Sequence, residues 1–210
     1  MRDDMDRAKS RRYNTAENRL RFDFLHPEKA IAISEAAGAA VIYCAAVFLH
    51  FVYPLSSGAA LSLLFGAVNE SVWEHTKIFS AAYIGWSVLQ LCWLKVRFRP
   101  YVAAKCLGLY TLMGLIIGVY YTYTGFTGHS IVSVDILSSL LSVMLVQWLT
   151  YRLETRCDRL GEYFAPALML LMLYYLMFFS FTVFPPKAEL FRDPVSGGYG
   201  VIERIAEKKR

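Results

Sequence analysis

The sequence predicts an all-α, polytopic membrane bundle with five transmembrane helices, the N-terminus inside and the C-terminus outside. Three observations carry this. Of the 210 residues, 56% are apolar and 19% are charged, against about a quarter charged in an ordinary soluble domain. The mean hydropathy is +0.38. The charges are also segregated into an N-terminal arm, two short turns and a tail. Between them lie apolar runs of roughly 20 residues, enough to cross a hydrocarbon core of about 30 Å. Finally, the short turns alternate between basic and free of Lys and Arg, as five spans of fixed orientation require.

Residues 1–29 (MRDDMDRAKSRRYNTAENRLRFDFLHPEK) mix both signs and hold few apolar residues. They lack the apolar stretch of a signal peptide and read as a polar cytoplasmic arm, so the first span acts as its own insertion signal. The membrane domain covers residues 30–186. Its first span, 30–53, ends at Pro54, and Ala36, Ala37, Gly38, Ala39 and Ala40 permit close helix packing. Residues 55–68 (LSSGAALSLLFGAV) are apolar but too short to span and read as an interfacial or re-entrant piece. The remaining spans are 71–94, 101–123, 130–153 and 163–184, with Pro185-Pro186 ending the last. Residues 187–210 form an extracytoplasmic tail with an SGGYG turn and an amphipathic end, VIERIAEKKR.

Orientation rests on the turns. Lys95, Arg97 and Arg99 follow the second span, and Arg152, Arg156 and Arg159 follow the fourth. The turns at 54–70 and 124–129 carry no Lys or Arg. Lys187, Arg192, Arg204, Lys208, Lys209 and Arg210 in the tail oppose this assignment, but short loops dominate topology. A sixth span made by splitting 59–95 would place Glu70, Glu74, His75 and Lys77 at lipid depth, at about 2.5–3.5 kcal/mol each. The net charge of +5 is therefore topology rather than nucleic-acid binding. The expected partner is the lipid bilayer, and the expected location the plasma membrane as a multi-pass protein. Cys44, Cys92, Cys106 and Cys157 all fall within or inside the bilayer on this map, so no disulfide is expected.

The densest polar feature is NESVWEHTK, residues 69–77, at the outer entrance of the second span. On one continuous helix Glu70, Glu74 and Lys77 share a face by i, i+4, i+7 spacing, and His75 points about 100° from Glu74. A capping box accounts for Ser71 and Glu74, and an interfacial belt for Trp73. Neither accounts for Asn69 or His75. The second feature is TGHSIVSVD, residues 127–135. His129 lies at the mouth of the fourth span, Ser130 is placed to cap it, and Asp135 sits about 9 Å further in. Asp135 heads a polar stripe with Ser138, Ser139 and Ser142 that must face helices or a wet cavity. The plainer reading is serine packing, with Asp135 bonded to a neighbour. His50 lies one turn before the outer end of the first span. Glu35, near its inner end, snorkels or pairs.

The topology brings His50, His75, His129, Glu70, Glu74 and Asp135 to the outer half of the membrane. Imidazoles and carboxylates together suit a divalent metal such as zinc, with His50, His75, His129 and Asp135 as ligands. A zinc-bound water would ionise near pH 7, at about that value, with Glu70 or Glu74 as the catalytic general base. No pair has the spacing of a short metal motif. The segment FPPKAELFRDPVSGGYG, residues 184–200, is either a plain polar tail or a lid folded over the outer face.

NESVWEHTK, TGHSIVSVD and FPPKAELFRDPVSGGYG together resemble a family of small bacterial integral-membrane proteins marked by an Asn-Glu-Ser-Val-Trp-Glu-His sequence. The resemblance covers about residues 40–200 and implies a fold class and candidate positions, with no activity established for that family. The reading that follows is a metal-dependent hydrolase acting on a lipid or envelope molecule. The alternatives are a small-solute or proton-coupled transporter or accessory subunit, and a non-catalytic structural membrane protein.

Overall fold

The structure is a computed structural model that describes residues 27–201. The arm before Pro27, with His26, and the amphipathic end after Val201 lie outside the described residues.

Pro27 opens α1 (Pro27–Leu55) at the position where a missing N–H costs nothing, and Glu28 complements the positive end of the helix dipole. The helix runs one residue past Pro54. Pro54 has no N–H to offer the carbonyl four residues back, and the chain turns out of the helix at Ser57 and Gly58, whose φ angles are positive. Residues 55–68 hold a short helix, α2 (Ala60–Phe65), which packs on α1 and on the two helices introduced next as α3 and α6. Then follow α3 (Val72–Gln90), α4 (Phe98–Thr127), α5 (Val132–Arg156) and α6 (Phe164–Val183). A 3-10 turn, Asp158–Tyr163, joins the last two, and another, Glu189–Phe191, lies in the tail.

Helices α1, α3, α4 and α5 form a closed ring: α1 packs on α3 and α5, and α4 on the same two, while α6 leans on α4. Two glycines set its waist. A Cβ on Gly38 of α1 would lie 2.2 Å from Gln147 Nε2 and 2.3 Å from Trp86 Nε1. A Cβ on Gly108 of α4 would lie 2.2 Å from the Tyr83 hydroxyl. A side chain at either point would have to displace these side-chain ends, so both glycines make room for neighbouring side chains between the helices, in keeping with the small-residue run in α1. Ile42, Ile78, Leu109, Leu112, Val143 and Val146 fill the centre.

Among the described residues, four helical stretches are long and apolar enough to cross a membrane: Glu28–Leu55, Phe98–Thr127, Val132–Arg156 and Arg159–Val183. The outward side of α6 shows why. Only Ala167, Tyr174, Phe178 and Thr182 of this helix are buried, while Met169, Met172 and Leu176 stand 64–72% exposed. A helix that is apolar all round suits lipid, not water. The expected second span, α3, is not among the four. It holds most of its polar residues against the ring, with Glu74, Thr76, Lys77, Ser80, Ser87 and Gln90 all buried, so hydropathy alone passes it over.

Candidate metal centre

Helix α3 begins at Val72, with Ser71 as its N-cap; the Ser71 hydroxyl accepts the Glu74 N–H at 3.3 Å. Glu70 therefore lies before the helix, and the expected Glu70–Glu74–Lys77 stripe does not form. Glu74 turns inward, 3% exposed. Its carboxylate takes the Lys77 ammonium at 2.6 Å and the Val68 N–H at 3.0 Å, and Lys77 also donates to the Leu63 carbonyl of α2 at 3.3 Å. Only half of the capping box is present, since the Ser71 N–H goes to Asn69 Oδ1 at 2.8 Å. A carboxylate committed in this way is not placed to serve as a general base.

His75, one residue on, faces α1. Its ring centroid lies 5.2 Å from that of His50. Glu70 stands between them, with Oε1 3.8 Å from His50 Nε2 and Oε2 3.7 Å from His75 Nε2. Among the described residues, these three are the set of His, Cys, Asp and Glu side chains whose ligand atoms gather for a metal, all within 4.8 Å of one another. His75 Nδ1 lies 2.9 Å from the Ser71 carbonyl. A carbonyl only accepts, so Nδ1 carries the proton, and in the neutral ring the Nε2 lone pair is turned toward Glu70. A backbone carbonyl fixing the tautomer from behind is the usual support of a ligating histidine.

The tail holds Glu70 in place. Its N–H donates to Asp193 Oδ1 at 3.3 Å, and Asn69 Nδ2 donates to the Gly200 carbonyl at 2.8 Å. Asp193 is fully buried and also accepts the Ser196 hydroxyl and the Val195 and Ser196 N–H groups. Burial alone would raise the Asp193 carboxyl; these donors outweigh it and hold the carboxyl below its ordinary value. Phe191 completes the dock, buried against Trp73 and Phe181.

The other expected ligands lie outside this group. His129 is exposed, and its Nδ1 donates to the Thr127 carbonyl at 2.9 Å. Asp135 accepts the Tyr123 hydroxyl at 2.5 Å, and that oxygen accepts the Ile131 N–H at 3.1 Å, which ties the α4–α5 turn. The N-cap there is Ile131, not Ser130. Ser138, Ser139 and Ser142 each donate to a carbonyl of their own helix. The stripe is thus satisfied locally.

Residues 23–201 match a family described as one of unknown function. The chain belongs to DUF6512. No curated protein and no solved structure matches it.

This DUF6512 chain holds a second buried cluster that the sequence reading caught only at Glu35. At the other end of the ring, the Lys105 ammonium contacts Glu35 Oε1 directly and stands 3.3 Å from Glu154 Oε1. Gln90 Nε2 donates to Glu35 Oε1 at 2.8 Å and to Ser34 Oγ at 2.9 Å; Thr150 donates to Glu35 Oε2 at 3.0 Å. The Tyr101 hydroxyl lies 3.1 Å from Gln90 Oε1, and its ring lies under the ammonium. Lys105 in an otherwise apolar run was the available signal, because an ionisable residue inside a span needs a partner.

Proposed function

We propose that the chain is a five-span integral membrane protein, N-terminus in the cytoplasm, that binds a divalent metal such as zinc at its outer end through His50, Glu70 and His75. The observation that carries this is the convergence of those three side chains. One ligand atom from each residue lies within 4.8 Å of the others, and closing to the spacing of about 3.3–3.5 Å around a tetrahedral zinc takes an inward movement on the order of 1 Å. Three protein ligands leave a fourth position for water, the pattern of catalytic rather than structural zinc. The metal would polarise that water for hydrolysis of a lipid or envelope molecule arriving along the bilayer. Helix α3 supports the fifth span: 19 residues at 1.5 Å each reach about 28 Å, and its polar groups are shielded by the ring. The turns rich in Lys and Arg support the orientation.

Purified protein should carry one metal ion per chain. His50→Ala and His75→Ala should each lose it with helical content unchanged. Wild-type protein without a stoichiometric ion, even after dialysis against zinc, sinks the reading.

A second reading, a proton- or solute-coupled transporter, is favoured by the buried Glu35–Lys105–Glu154 cluster, since ionisable groups deep in a bundle are the parts of proton relays. Flux in proteoliposomes that needs Glu35 but not His75 would favour it over hydrolysis.

A further inference from the structure

The cluster opposite the metal site is out of charge balance. It sets two carboxylates against one ammonium, and Glu35, Lys105 and Glu154 are 2%, 6% and 9% exposed. Glu35 is fully served, by Lys105, Gln90 and Thr150. Glu154 is not. Its side chain is 3% exposed, and among the described residues its polar partner is the Lys105 ammonium, 3.3 Å from Oε1, with no hydrogen-bond partner for Oε2.

An uncompensated carboxylate in an apolar bundle is strongly disfavoured. Glu154 also lies in the last turn of α5, where the negative end of the helix dipole opposes an anion. The groups around it are Glu28 and Glu35 from α1, Tyr83 from α3, Tyr101 and Lys105 from α4, and Lys95 and Arg97 from the α3–α4 connection. Lys105 is already shared with Glu35. A cleft of about 190 Å³, lined by Glu28, Ile31, Lys95, Arg97, Tyr101 and Glu154, opens beside the buried carboxyl at the end where α3 stops and α4 starts.

We infer that Glu154 is a reversible proton-binding site: its carboxyl is protonated in the folded protein and exchanges that proton through the cleft. Protonation leaves Glu35 and Lys105 as a neutral pair and gives Glu154 an O–H donor. The bookkeeping is one proton taken up from water as the bundle folds and released when the carboxyl ionises. The ligand is the proton alone, and the site stands apart from the metal ligands, so either proposal can fail without the other.

The sign of the linkage makes this testable. A carboxyl that is protonated when folded and ionised when unfolded stabilises the protein below the folded transition, and that contribution is lost as pH rises. The melting temperature of the full chain in detergent should fall as pH rises from about 5 to about 9. Glu154→Gln, which mimics the protonated acid, should remove that slope and melt above wild type at the alkaline end. Curves for the two that run parallel overturn the inference, as does melting that follows sodium concentration instead of pH. Should Glu154→Gln fail to fold, infrared spectroscopy of wild type decides: a carbonyl stretch of a buried carboxylic acid, present at neutral pH and reversibly lost in alkali, is expected, and its absence overturns the assignment.

Discussion

Glu74 and His75 are neighbours in the chain with opposite fates. The roughly 100° between successive helical positions sends Glu74 to Lys77 in the ring and His75 out to His50 and Glu70. That divergence was legible in the sequence. Which acid would join the histidines was not, because it depends on where the helix starts: with Ser71 as the cap, Glu70 is freed from the helical register. Asp193 is the other residue whose position matters here. Its carboxyl is held low by its donors, so the contribution it makes to docking the tail is complete above the ordinary carboxylate range and is lost as pH falls through the lowered value. Protection from hydrogen exchange at residues 193–198, taken relative to the intrinsic rate at each pH, should therefore be high at neutral pH and fall in acid. In Asp193→Ala it should be low throughout; protection that survives this change would remove Asp193 from the role.

At the scale of elements, the apolar runs located α1, α4, α5 and α6 because lipid-facing helices announce themselves by hydropathy. Helix α3 is different. It was expected as the span 71–94, yet its composition makes sense only with α1, α4 and α5 around it, which shield Lys77 and Gln90. The polar cluster at the other end was illegible for a related reason. Glu35, Gln90, Lys105 and Glu154 come from four helices, and no local pattern states that they meet. Close packing makes that meeting possible, and it has a direct test. Gly38→Val would drive a branched side chain into Gln147 and Trp86. Overpacking of this kind costs about 1–3 kcal/mol, so the melting temperature in detergent should drop clearly, whereas Gly114→Val, where nothing lies within 4 Å of the added Cβ, should be close to neutral. Equal effects from the two would mean that the ring is not closed at Gly38.

At the scale of the whole molecule, the ends of the helices alternate. Glu35, Gln90, Lys105 and Glu154 share one end; His50, His75, Tyr120 and Asp193 lie toward the other. With five spans this puts the 193–200 turn outside and Cys157 inside. A membrane-impermeant maleimide should label Ser196→Cys on intact cells and reach Cys157, which is exposed, only after permeabilisation. The reverse pattern would invert the topology and move the His50 site to the cytoplasm.

The contact between Glu70 and Asp193 spans 123 positions of the chain. A ribosome makes Glu70 well before Asp193, so His50, Glu70 and His75 are all synthesised while the loop bearing Glu70 still lacks its brace. The later-made segment is the one that completes the arrangement. On the proposed metal reading, loading would wait for this brace, and a chain cut short before Asp193 should insert without holding the ion.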